Sequence, residues 1–182
     1  AREPARANGR GGRRRLRGGF VSGRDKAPSA ERQKPVIPPP VIGLAAGALM
    51  WAIARKAGLP ALDFPGRVPA AAALAGAGLL IDLVSVAAFI RARTTVNPLA
   101  PERANALVVS GLYRFSRNPM YLGMLMILLG WAAYLAQPLT LLPVALFVFL
   151  IEVWQIRPEE RALEEKFGDD YRAYMRRVRR WI

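Results

Sequence analysis

Thirty-four consecutive residues, 118–151, hold no acid and no base apart from the phenols Tyr121 and Tyr134. Yet the 182-residue chain carries 27 Lys+Arg against 13 Asp+Glu, a formal charge of +14, beside 53% hydrophobic residues. Both facts hold only if basic and apolar residues occupy different stretches, and they do. Residues 1–34 alone contribute 11 of the basic residues and three of the acids. Segregation of this kind predicts an all-α integral membrane protein rather than a soluble globule. The chain has no cysteine and no histidine. Disulfide scaffolds, thiolate nucleophiles and cysteine metal sites are therefore excluded, along with the commonest general base. Chemistry here must run on Asp, Glu, Arg, Lys, Tyr, Ser, Thr, Asn and backbone, or on a cofactor, and no metal site is expected.

Residues 1–37 read as a disordered basic tail, because Arg, Gly, Ala, Pro and Ser cannot bury enough surface to offset ordering. The run Arg13-Arg14-Arg15-Leu16-Arg17 lacks the interleaved aromatics of a nucleic-acid binder, so membrane lipids rather than nucleic acid are its expected partners. Residues 38–182 form one domain with about four transmembrane helices, at 41–59, 68–90, 119–136 and 139–156. The last two are separated only by Gln137-Pro138, which predicts a tight helical hairpin. An even number of spans puts both termini on one side, together with the loop 91–118. That side then holds 24 basic residues, and the other holds three, Arg55, Lys56 and Arg67. The expected arrangement is multi-pass, in the inner (cytoplasmic) membrane, with both termini cytoplasmic.

Amphipathic C-terminal helices are expected over 158–181. Pro158, Glu159 and Glu160 suit a helix start, Gly168 suits its end, and Asp169 caps a second helix running to Trp181. Leu163, Phe167, Tyr171, Tyr174 and Val178 fall on one stripe, which either lies on the membrane interface or folds back over the spans. At the mouth of the third span, Gly111, Arg117, Asn118, Pro119 and Gly123 combine backbone freedom, a fixed charge and an amide. That combination suits a carboxylate or a nucleotide, although an interfacial loop anchored by Tyr113 and Tyr121 reads equally well. Glu159-Glu160 suits a helix dipole or a cationic ligand group. Asp82 and Glu152 lie inside predicted spans and must face the bundle or sit near an end, with Glu152 near enough to join the same site.

Gly111-x-Tyr113-(three residues)-Arg117-Asn118-Pro119-x-Tyr121-x-Gly123, then two spans, then Glu159-Glu160-x-x-Leu163-(three residues)-Phe167-Gly168-x-x-Tyr171-x-x-Tyr174 resembles the isoprenylcysteine carboxyl methyltransferase and phospholipid methyltransferase group of membrane enzymes. The similarity covers roughly residues 41–180. It implies an S-adenosylmethionine-dependent methyltransferase, with the cofactor at the cytoplasmic ends of the last two spans and a lipophilic acceptor entering from the bilayer. Carried over by position, Leu107, Val108, Gly111, Tyr113, Arg117, Asn118, Pro119 and Tyr121 would line the cofactor cavity. Glu159 and Glu160 would hold its polar end, and Arg117 and Asn118 would stand closest to the chemistry. The family commonly has His before the proline, where this chain has Asn118, which can hydrogen-bond but cannot act as a base. The loss suits an acceptor that is already anionic, such as a carboxylate or thiolate, better than a protonated amine. That favours an oxygen or sulfur acceptor, and the resemblance makes carboxyl O-methylation the leading expectation. A phospholipid amine N-methyltransferase and a non-catalytic membrane scaffold are the alternatives.

Overall fold

The computed structural model of the chain describes residues 20–22, 37–56, 58, 61–92 and 106–182. The loop residues 93–105 and the tail, except for 20–22 and 37, lie outside them. Among the described residues six α-helices carry the fold: α1 (Pro39–Lys56), α2 (Arg67–Arg91), α3 (Pro119–Leu135), α4 (Leu141–Ile151), α5 (Arg157–Phe167) and α6 (Asp169–Arg177). Two short strands, β1 (Phe20–Ser22) and β2 (Ala106–Val108), pair antiparallel, with Phe20 opposite Val108. Residues 20–22 thus depart from the expected disordered tail. Phe-Val-Ser has strand propensity, and the open edge of β2 offers it a ladder.

The four apolar stretches become helices close to their expected limits. Among the described residues, two helices are long and apolar enough to cross a membrane, α2 and the continuous helical run Pro138–Phe167. α3 is apolar but has 17 residues. α1 opens on Pro39-Pro40, closes on Arg55-Lys56, and falls short of the same measure. Only 11% of the apolar window of α2 is buried, so it is not the core helix of a soluble domain. Leu80, Leu83, Leu142 and Phe149 point outward, each more than half exposed. A helical protein that turns leucines outward in rows is built for lipid contact, and the chain is membrane-associated.

Glycines set the bundle spacing. A Cβ on Gly78 of α2 would lie 2.5 Å from the Gly123 carbonyl oxygen of α3, and one on Gly130 would lie 2.8 Å from the Ala71 carbonyl oxygen. The two backbones therefore touch at both levels, as small residues allow between apolar helices. α1 packs Ile42, Ala46 and Met50 against α3 and α4, where Leu128, Val144, Phe147 and Ile151 complete the core. Trp131 Nε1 donates to the Gly47 carbonyl at 3.1 Å, and Gln155 Nε2 donates to the Ile37 carbonyl at 2.7 Å. The expected hairpin is present. Ala136 ends α3 in the left-handed region (φ 52°), and a 3₁₀ turn, Pro138–Thr140, starts the return.

Three expectations fail at the C-terminal side. Pro158 starts no helix, because α4 runs into α5 through a π turn, Glu152–Ile156. Proline has no N–H for the Trp154 carbonyl and crowds it sterically, and here the helix widens before the ring instead of breaking. The second helix stops at Arg177 rather than Trp181, since Val178 is extended (φ −123°, ψ 130°). Its backbone is drawn off by another partner: Arg117 N–H donates to the Arg179 carbonyl at 3.0 Å, and Ser116 bridges Arg179. Gly168 (φ 57°) makes the expected corner. Asp169, however, enters the first turn of α6, makes no side-chain cap bond, and pairs with Arg172 at 2.7 Å. The stripe of Phe167, Tyr171, Tyr174 and Val178 folds back onto Leu107 of β2, forming a cap over one end of the bundle.

Candidate functional site

The site residues converge where that cap meets the start of α3. Gly111 adopts φ 62°, exposed and with open space around it, and turns the chain from β2 into a 3₁₀ turn, Gly111–Arg114. The turn drives Tyr113 inward to 6% exposure, edge-on to Phe89 of α2 at 5.4 Å between ring centres. Tyr174 Oη donates to the Tyr113 carbonyl at 2.7 Å, tying α6 to the same turn. Pro119 follows as the first residue of α3, where its missing N–H costs nothing. Arg117 and Tyr121, four positions apart, then reach the adjacent carboxylates of α5.

Arg117 Nη2 donates to Glu160 Oε1 at 2.7 Å, and the two side chains are 10% and 12% exposed. Arg180 closes on the same carboxylate from the other side, Nη2 to Oε2 at 2.8 Å and Nε to Oε1 at 3.2 Å. Arg180 Nη1 also reaches Glu152 at 3.1 Å, and Glu152 holds Arg157 at 3.0 Å. Glu160 is thus held between two guanidiniums. Arg117 spends another donor on the Met175 carbonyl at 3.3 Å, while its Nε is buried without a partner. Asn118 Nδ2 donates to the Arg180 carbonyl at 3.0 Å, so its amide fastens the C-terminal segment.

Glu159 is placed differently. Tyr121 Oη donates to Glu159 Oε2 at 3.1 Å. Burial pushes the Glu159 carboxyl up to about 7; the neighbouring charge of Glu160 adds to the rise, and the Tyr121 hydrogen bond opposes it. Burial, and then the charge of Glu159, also holds the Tyr113 phenol well above its ordinary value. A carboxyl poised near neutrality beside two phenols can accept a proton or receive a cationic group.

The structure therefore brings Arg117 to Glu160 and Tyr121 to Glu159, with Tyr113, Asn118 and Pro119 alongside. Leu107 and Val108, each 4% exposed, are set apart: Leu107 packs with Phe167, Tyr171 and Tyr174 and supports the cap from below. Gly123, expected at the mouth, serves the helix crossing instead. Glu152 joins the network through Arg180. Sequence reasoning missed Arg180 and Ser116, because Arg180 lies in a cluster of Arg176, Arg177 and Arg179 that reads as a solvated basic face. Among the described residues no three His, Cys, Asp or Glu converge as a metal site.

The family described as Phospholipid methyltransferase matches residues 67–170, which include α2, α3 and both carboxylates. A Haemophilus influenzae protein described only as uncharacterised is 49% identical over 63 residues, 35% of this chain and 100% of that protein. Protein-S-isoprenylcysteine O-methyltransferase of Saccharomyces cerevisiae is 37% identical over 82 residues, 42% of this chain and 32% of its own length. Protein-S-isoprenylcysteine O-methyltransferase B of Arabidopsis thaliana is 31% identical over 88 residues, 48% of this chain and 45% of its own length. The match thus spans less than half the length of either named relative. No solved structure matches the chain.

Proposed function

The chain belongs to the phospholipid methyltransferase family and is a methyltransferase; from that membership we propose that it is S-adenosylmethionine-dependent and methylates a lipophilic acceptor, most like the isoprenylcysteine carboxyl O-methyltransferases. One observation carries the proposal. The two motif halves, 38 and 43 residues apart, meet as Tyr121–Glu159 and Arg117–Glu160 at one end of the α3–α4 hairpin. A scaffold has no need of that meeting.

The residues fit the cofactor's charges. Its carboxylate calls for a cation, and Arg117 keeps a buried Nε with no partner. Its ammonium and sulfonium call for a carboxylate, and Glu159 is held by a phenol, whereas Glu160 and Glu152 are held by guanidiniums. When bound, the cofactor supplies an activated methyl group on a sulfonium. The protein's own task is placement. Tyr121 fixes the Glu159 rotamer, Arg117 is fixed by Glu160, and Tyr113 with Phe89 forms an apolar wall that excludes water. An acceptor carboxylate needs no deprotonation at neutral pH, which suits a site with Asn118 where the relatives' pattern has His.

A second acceptor is favoured by a different observation. Glu159, at about 7, is able to take a proton from an amine near neutral pH, which would suit a phospholipid amine headgroup. We place the chain in the membrane as four spans, α1 to α4, with both termini and the site cytoplasmic, on the strength of the 24-to-3 split of basic residues. In the same arrangement residues 38–182 form the methyltransferase domain.

Membranes incubated with methyl-labelled S-adenosylmethionine and a lipid extract test the acceptor. Label released as methanol by mild base identifies an ester, and base-stable label in phospholipid identifies an amine. No transfer of label to any lipophilic species would overturn the proposal.

A further inference from the structure

A cleft of about 1000 Å³ runs along the bundle, from Pro40 and Met124 near the site's end to Trp51, Val68 and Tyr134 at the other. α1 and α2 lean on α3 from either side and leave the space between them. Its walls are Gly43, Gly47 and Trp51 of α1 with Ala71 and Ala75 of α2, and Trp131 of α3 is its floor. Small residues create the volume, and Trp131 spends its N–H on the Gly47 carbonyl, so the lining offers almost nothing polar. The volume lies at the upper end of the usual range for ligand cavities, roughly 300–1000 Å³. Tyr134 also lines it, 13 residues along α3 from Tyr121, or about 20 Å at 1.5 Å per residue. That end of the cleft is therefore remote from the methyl-transfer site, while Met124, three residues from Tyr121, lines the other end.

Charge says what fills it. In the four-span arrangement, Arg55, Lys56 and Arg67 are the three basic residues on the side away from the termini, and each lies within five positions of a residue lining the Tyr134 end of the cleft. Trp51 lines the cleft and holds the Arg55 guanidinium over its ring at 5.1 Å. Lys56 is next in the chain, and Arg67 immediately precedes the lining residue Val68. Asp63 meets Arg67 at 3.5 Å but is 77% exposed, which leaves that end cationic. Trp51, Trp131 and Tyr134 supply the aromatic girdle found at headgroup depth. We propose that this cleft is a binding site for an anionic phospholipid of the leaflet away from the site, with its acyl chains between α1 and α2 and its phosphate at Arg55, Lys56 and Arg67.

The proposal rests on the four-span arrangement, and its test keeps the two apart. The full chain is purified in mild detergent and offered equal amounts of phosphatidylglycerol and phosphatidylcholine with matched acyl chains. Retained lipid is then counted by native mass spectrometry. About tenfold preference for phosphatidylglycerol is expected from three cations at an interface. R55Q/K56Q/R67Q should retain both lipids equally. Ala48 and Ala72 are exposed and line the cleft, so A48F/A72F should fill it and retain neither lipid. Cofactor binding by that variant shows that it is folded. Equal retention by the parent protein, lipid retention that A48F/A72F leaves unchanged, or a dimer mass in place of bound lipid would each overturn the proposal. Separately, L62C is the sole cysteine of its chain. Labelling of L62C by an impermeant thiol reagent only from the cytoplasmic side would defeat the four-span arrangement, whatever the lipid result.

Discussion

The two ends of this bundle are held together by opposite means. At the capped end, Arg117, Glu160, Arg180 and Glu152 form a partly buried ionic chain, and three segments distant in sequence hang from it. At the remote end, α2 and α3 touch through Gly130, Ala71 and Ala75 without a single charge. Ionic ties tolerate an open, polar cavity and localise chemistry. Backbone-to-backbone packing tolerates no added atom and gives the rigid frame against which that chemistry is aligned. Placing the site and the frame at different ends lets each be perturbed separately.

The largest expected effect is at the ionic end. Glu160→Ala leaves Arg117 facing Arg180 with no carboxylate between them. Loss of one partner of a nearly buried pair costs about 3–5 kcal/mol. The loss should appear as a lower Tm in detergent and as tryptic cleavage after Arg176 to Arg180. Replacing both partners, Arg117→Met with Glu160→Met, should restore much of the Tm but not cofactor binding. Full binding by that double variant would show the pair to be a structural clasp alone.

At the packed end the expected effect is smaller. Gly130→Ala puts a methyl group 2.8 Å from the Ala71 backbone oxygen, which cannot move without shifting α2. Overpacking of this kind costs about 1–3 kcal/mol. The cap should stay intact, so thermal unfolding should shift while proteolysis of 176–180 should not.

Glu159 gives a pH-dependent effect. Its folded carboxyl titrates at about 7, above the ordinary 4.5, so its contribution to stability is full below 4.5 and is lost as pH rises through 7. Glu159→Gln should therefore raise the Tm of ligand-free protein at pH 8 and leave it little changed at pH 4.5. An equal shift at both values would mean that the carboxyl titrates normally. Smallest of all, Arg172→Ala removes surface pairs with Asp169 and Glu164 and should not measurably change the Tm.

Much of the bundle was legible because membrane helices announce themselves by length and apolarity, and because Gln137-Pro138 left no room for anything but a hairpin. The apolar stripe of α5 and α6 was equally plain, and its spacing survives in the packing against Leu107. What stayed hidden was relational. Arg180 and Arg177 look alike in a basic run, and only the extended Val178 and the bridge of Arg179 to Ser116 turn one of them onto Glu160. Arg117 and Glu160 were each legible as charges for a ligand. Their mutual pairing required knowing that α5 continues through Pro158 without a break. Gly123 sat among loop-like residues, and nothing local marked it as the contact point for Gly78, 45 positions earlier in the chain.

The central claim is that Glu159 and its neighbours receive a cationic methyl donor. Calorimetric titration of S-adenosylmethionine into the full chain in detergent, at pH 5.5 and pH 7, tests it most directly. The donor's amino group, with an ordinary value near 7.7–8.0, stays largely protonated over that range, so the change in charge falls on Glu159. The expected result is affinity more than about tenfold higher at pH 7 in the parent protein, with Glu159→Gln weak and flat across the range. Absence of binding in the parent, or a Glu159→Gln variant that binds like the parent at both pH values, would contradict it.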